Sequence, residues 1–141
     1  MADWEAMLAA AGFRITEPRR AVIEALARAE RPLSPEELLE RAQPEHSRLG
    51  LVSVYRALNL FARLQLVRRV HHEDGCHGYM LASPGHTHAI VCQRCGNTAE
   101  FSVEGDVQAV VERAQAQTGY RVSGHMLQLF GICPACERAE H

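Results

Sequence analysis

Residues 50–81, GLVSVYRALNLFARLQLVRRVHHEDGCHGYML, decide the fold. Val54, Ala57, Leu58 and Phe61 recur at helical spacing and predict a helix from about Val52 to Leu64. Its opposite face carries Ser53, Arg56, Asn59 and Arg63. The period then changes: Leu66–Val70 and Cys76–Leu81 flank Glu73-Asp74-Gly75, a turn sequence that predicts a β-hairpin. Upstream, Ser34-Pro35-Glu36-Glu37 is a helix start, with Ser34 as N-cap, Pro35 at the first helical position and Glu37 closing a capping box. Thr16 and Pro18 open an earlier helix with Val22, Ile23 and Leu26 inward, and Trp4, Met7, Leu8 and Ala11 share a face of a first helix stopped by Gly12. Helices followed by a two-stranded wing make a winged helix-turn-helix, whose last helix enters a DNA major groove. Tyr55 and Arg56 lie near the start of that helix. An amphipathic helix with a merely solvated face is the plainer alternative; the helix order, the wing and clustered arginines outweigh it.

Those clusters are Arg14, Arg19 and Arg20, and later Arg56, Arg63, Arg68 and Arg69. Lysine is absent from the 141 residues, whose net charge is only −2, so composition does not mark a strongly basic nucleic-acid binder. Residues 1–80 hold eleven arginines and eleven acids, and residues 81–141 hold four and six. Local patches would have to meet phosphate. The start of the chain lacks a basic, then apolar, export signal, and no segment is long enough to span a membrane, so a cytoplasmic protein with reduced thiols is expected.

Ser83-Pro84-Gly85 is the candidate hinge between a DNA-binding domain, 1–82, and a dimerisation and metal-binding domain, 86–141. Beyond it, Ala89–Val91 and Asn97–Phe101 read as strands. A helix from about Asp106 to Thr118 puts Val107, Val110, Val111 and Ala114 inward, and Tyr120–Phe130 is strand-like. The fold class is α+β, with a small antiparallel sheet and one crossing helix in the C-terminal domain. Such a sheet leaves an apolar face, which predicts a homodimer.

Two Cys-x-x-Cys pairs, Cys92/Cys95 and Cys133/Cys136, give four thiolates at the spacing that closes a tetrahedral structural zinc site. Gly96 and Pro134 suit tight knuckles. His71, His72, His77, His86, His88 and His125, with Cys76, exceed what that closed site needs and point to a second, sensing metal. His86 and His88 alternate on an extended segment and so face one side. Cys76 could instead be a redox switch. An enzyme is not expected: His71-x-Glu73 matches part of a zinc deaminase signature, but neither cysteine pair follows a proline and four thiolates leave no open position.

Gly50-Leu51-Val52-Ser53-Val54-Tyr55-Arg56-Ala57-Leu58 resembles the recognition-helix segment of the ferric uptake regulator family. His86-Thr87-His88-Ala89-Ile90-Val91-Cys92-Gln93-Arg94-Cys95-Gly96 resembles its histidine-rich strand and first knuckle, and the likeness extends to Gly12–Arg19. The resemblance implies a homodimeric, metal-dependent repressor of metal-uptake genes that binds AT-rich palindromic operators. It implies that Arg14 approaches a minor groove, Tyr55 a base, and Arg19 and Arg56 phosphates, with Ser53 on the same face. At the family's iron-sensing places this chain has Pro32, Met80, Thr87 and Ala89, and keeps Glu100. The likeness is therefore greatest to the zinc uptake branch, which implies a regulatory site of His71 (with His72 and His77 as alternates), Cys76, His86 or His88, and Glu100. It also implies an additional dimer-domain site of His86, His88, Asp106 and His125, with Glu104 near it. Zinc is the expected effector, with iron(II), manganese(II) or peroxide as the alternative signal.

Overall fold

The computed structural model describes residues 3–83, 86–103, 105 and 107–139. Four helices come first: α1 (Trp4–Ala10), α2 (Glu17–Arg28), α3 (Pro35–Ala42) and α4 (Leu51–Arg63). Short local signals start α2 and α3. The Thr16 hydroxyl accepts from the Arg19 amide at 3.4 Å, and Ser34 and Glu37 form a reciprocal capping box with both bonds at 3.1 Å. At the end of α4, Gln65 takes a left-handed conformation (φ 61°), and the Leu66 amide reaches back to the Phe61 carbonyl at 2.8 Å. That turn aims the chain into β1 (Val67–His71), which pairs with β2 (His77–Leu81), His71 opposite His77.

The hairpin is fastened to the helices. Leu33 and Tyr79 exchange backbone bonds of 2.9 and 2.7 Å, and a Cβ on Gly78 would lie 2.8 Å from the Pro32 Cβ. Only glycine allows β2 that close to the residues before α3. Among the described residues, a large apolar core runs from α1 to β2, centred on Leu8, Ile23, Leu38, Leu58 and Phe61.

The C-terminal part contains β3 (His88–Cys92), β4 (Thr98–Phe101), α5 (Gln108–Thr118), β5 (Gln128–Gly131) and α6 (Pro134–Ala139). Strand order is β4-β3-β5; β3–β4 is antiparallel as expected, but β5 runs parallel to β3. The strand expected over Tyr120–Phe130 shrinks to Gln128–Gly131, since Ser123-Gly124 interrupts the alternation and residues 120–126 lie mostly exposed. Of the stripe expected inward, Val107, Val111 and Ala114 are half-buried while Val110 is 69% exposed, and α5 buries no residue fully. Helix α6 was not foreseen. Pro84 and Gly85 of the proposed hinge lie outside the described residues.

Candidate metal centres and nucleic-acid interface

The parallel course of β5 builds the first centre. Cys92 ends β3 opposite Gly131 in β5, so the chain leaves both strands at the same end of the sheet. Cys133 and Cys136 therefore arrive beside Cys92 and Cys95; an antiparallel β5 would have carried them to the far end. All four Sγ atoms lie within 4.8 Å of one another, and Cys95 Sγ and Cys133 Sγ are 3.7 Å apart. Four sulfurs about 2.3 Å from a tetrahedral zinc are separated by about 3.8 Å. The spacing fits zinc.

Backbone amides prepare the sulfurs for negative charge. Cys133 N–H donates to Cys92 Sγ at 3.3 Å, Cys136 N–H to Cys133 Sγ at 3.4 Å, and Asn97 N–H to Cys95 Sγ at 3.4 Å. Amides of Cys95 and Cys133 hold the Cys92 thiol at about 6, whereas its bond to Cys133, then burial, pushes Cys136 up to about 12. A zinc ion would supply the positive charge that four crowded thiolates need to share.

A second centre forms where β3 begins. His86, His88 and His125 place ligand atoms within 4.8 Å of one another, and their ring centroids lie 5.1–5.4 Å apart. His88 is 4% exposed. His86 Nε2 and His125 Nε2 are 3.3 Å apart. Two nitrogens about 2.0–2.1 Å from a tetrahedral ion stand about 3.3–3.4 Å apart, so this pair has metal-binding spacing. Asp106, read from sequence as the fourth ligand, and Glu104 beside it lie outside the described residues.

The other expected regulatory ligands are elsewhere. His71 sits on the wing with its ring edge-on to His77 at 4.6 Å. Cys76 is exposed on the wing turn; its amide donates to Asp74 at 2.9 Å, and the Asp74 charge raises its thiol. Glu100 accepts from Arg68, Ser83 and Thr87. Burial alone would raise its carboxyl, but bonds from Ser83 and Thr87 and the Arg68 charge hold it below the ordinary value. Among the described residues, the structure gathers His86 and His88 with His125, and not with His71, Cys76 or Glu100. A cavity of about 1130 Å³ lies between α1, the wing and the sheet, and the histidine cluster lines it together with His71, Trp4, Arg68 and Phe130.

Sequence reasoning missed a third cluster, which holds two carboxylates and a histidine. Glu24, Glu45 and His46 converge where the chain after α3 meets α2. Arg28 pairs with Glu45 at 3.4 Å, and His46 lies 3.3 Å from Glu17 and 3.7 Å from Glu24, so the group fastens that segment to α2.

The outer face of α4 presents Val52, Tyr55, Arg56, Asn59 and Arg63, with Ser53 half-buried beside them. The Tyr55 hydroxyl donates to Glu36 at 3.3 Å, which orients the ring across the starts of α3 and α4. Arg14 is exposed; Arg19 donates to the Arg14 carbonyl at 2.7 Å and lies 5.7 Å over the Phe13 ring. Among the described residues, no helix is long and apolar enough to cross a membrane.

Comparison with known proteins finds relatives along nearly the whole chain. Residues 10–130 match the family described as the ferric uptake regulator family. The ferric uptake regulation protein of Shigella flexneri is 33% identical over 144 residues, covering 100% of this chain and 97% of its own. A zinc uptake regulator complexed with zinc and DNA superposes with a TM-score of 0.81 at 25% identity, over 97% of this chain and 92% of the other. The ferric uptake regulator of Vibrio cholerae gives 0.62 at 31% identity, over 93% and 100%. This chain belongs to the ferric uptake regulator family of metal-responsive transcriptional regulators.

Proposed function

We propose that the protein is a zinc-responsive repressor that binds an AT-rich inverted repeat as a homodimer and controls metal-uptake genes. The observation that carries zinc is the trio of His86, His88 and His125, with two ring nitrogens already 3.3 Å apart. Imidazoles suit zinc, whereas manganese favours oxygen ligands, and Glu100 is already engaged by Arg68, Ser83 and Thr87. The likeness to a zinc uptake regulator complexed with zinc and DNA supports the same choice.

Each part has a physical task. The four cysteines hold a structural zinc that staples the C-terminal sheet. Exposed Ile90 and Leu129, paired across β3 and β5, together with exposed Val110, Tyr120 and Ile132, leave apolar surface on the C-terminal part for a second copy to cover. The histidine site ties the start of β3 to the segment before β5, and so fixes the sheet that the two copies share. With residues 1–82 as the reading domain, 83–85 as hinge and 86–141 as the dimer domain, ion binding favours the arrangement in which both α4 helices match successive major grooves. Ser53, Tyr55 and Arg56 then meet the groove, and Arg14 and Arg19 the flanking backbone. Gly50 gives α4 no side-chain cap, which leaves its first amides suited to a phosphate.

The test is operator binding by protein that retains only its cysteine-bound zinc, titrated with zinc, iron(II) and manganese(II) in parallel. Tightening at far lower free zinc than free iron or manganese is expected; a stronger response to iron(II) or manganese(II) would make this an iron or manganese regulator.

A further inference from the structure

The wing meets the C-terminal sheet along a polar seam that Arg68 crosses. Arg68, on β1, reaches across to β4 and to the segment before β3. Its Nε donates to Glu100 Oε2 at 3.2 Å, and its Nη2 donates to the Thr87 carbonyl at 2.7 Å and to the Thr87 hydroxyl oxygen. Glu100 is saturated by other donors as well. The Ser83 hydroxyl donates to it at 2.6 Å, the Ser83 amide at 3.3 Å and the Thr87 hydroxyl at 2.9 Å.

A carboxylate offers about four lone-pair positions, and here donors from β1, the hinge and the start of β3 take them all. The Arg68 and Glu100 side chains are only 21% and 12% exposed, so water screens the pair weakly. A guanidinium makes several directed bonds at once, which suits it to hold two chain segments at a set angle. The same seam carries a second clamp: the His71 amide donates to Gln128 Oε1 at 2.9 Å, and Gln128 Nε2 donates back to the His71 carbonyl.

We propose that the Arg68 guanidinium is a resident cation at this seam, docking the wing on the sheet without a bound metal ion. Arg68 and Glu100 are then positioning residues for α4, a consequence that rests on the DNA-binding role proposed above. Metal response resides in the histidine cluster, and the clasp is the rigid joint through which a change in the sheet reaches the wing.

The His71 amide tests this directly, because its bond to Gln128 exists only while the wing is docked. The measurement is amide hydrogen exchange by NMR on protein that keeps its cysteine-bound zinc but is otherwise chelator-treated. The Tyr79 amide, bonded to Leu33 inside the N-terminal part, serves as the internal control. In the wild type, His71 should be protected without added zinc. Arg68→Met and Glu100→Gln should each speed its exchange roughly tenfold or more while Tyr79 stays unchanged, since each removes bonds to a charged group. Arg68→Lys should fall between, because an ammonium cannot span Glu100 and Thr87 in the same fork. Wild-type His71 that exchanges freely until zinc is added, or variants that leave it protected, would overturn the proposal. Neither DNA nor the choice of effector enters the readout, so its failure is separable from failure of the zinc-repressor reading.

Discussion

Replacing Cys133 by serine should unfold the C-terminal half of this protein while leaving the helical half standing. Among described residues from 86 onward, only His88, Ala89, Val91 and Cys92 are buried, and α5 buries none. A fully buried valine contributes about 1.5–3 kcal/mol, whereas ordering a residue's backbone costs about 1–2 kcal/mol. A core this thin cannot order some fifty residues. A zinc ion on four thiolates supplies about 10–16 kcal/mol at neutral pH, as large as the whole stability of a typical domain, about 5–15 kcal/mol. Cys133 is the most connected ligand: its sulfur faces Cys95 at 3.7 Å and accepts the Cys136 amide, and its own amide holds Cys92. Cys133→Ser should lose about one zinc per chain, dissociate the dimer and strip the circular dichroism of β3, β4, β5 and α5. Urea should then reveal a surviving transition from α1–α4, whose core lies entirely within residues 4–79. A variant with wild-type metal content, dimer and single transition would refute this division of stability.

Three further outcomes follow from particular contacts. Gly78→Ala sets a Cβ 2.8 Å from the Pro32 Cβ and should cost about 1–3 kcal/mol in urea denaturation, with Pro32→Gly in the same chain recovering part of the loss. Glu37, hydrogen-bonded by Arg31 and then by Ser34, has its carboxyl lowered from 4.5 to about 2. A lowered carboxyl adds stability that is present above pH 4.5 and lost as pH falls towards 2, so Glu37→Gln should cost under about 1 kcal/mol at pH 7 and nothing below pH 2 in acid-melting curves. Arg56→Ala should weaken DNA binding evenly across sequences and lower the slope of log affinity against log salt by about one, measured by anisotropy over a salt series; a selective loss at one base would instead make Arg56 a reader.

The helical half was legible because its signals are local. Ser34 and Glu37 cap a helix three residues apart, and Glu73-Asp74-Gly75 marks a hairpin within its own turn. The Cys-x-x-Cys pairs were legible for the same reason, though not the parallel β5 that joins them. What the sequence hid depends on partners far along the chain. Glu100 reads as a metal ligand from sequence, which gives no sign that Arg68, thirty-two residues earlier, donates to it. Gln128 carries no signal of its role at His71, and Gly78 none of its contact with Pro32. Val110 keeps a helical apolar period, yet period alone cannot say whether the covering surface belongs to the same chain.

On the function proposed above, an ion at the histidine cluster and DNA at α4 favour the same arrangement of the molecule. Coupling of this kind is reciprocal, so operator DNA must tighten zinc by the factor by which zinc tightens DNA, typically roughly 5–150-fold. The measurement is zinc affinity, by competition with a chromophoric chelator, with and without saturating operator, in wild type and in His125→Ala. The account predicts a matching gain in the wild type that disappears in the variant. Zinc affinity unchanged by operator, or a gain that survives loss of His125, would contradict it.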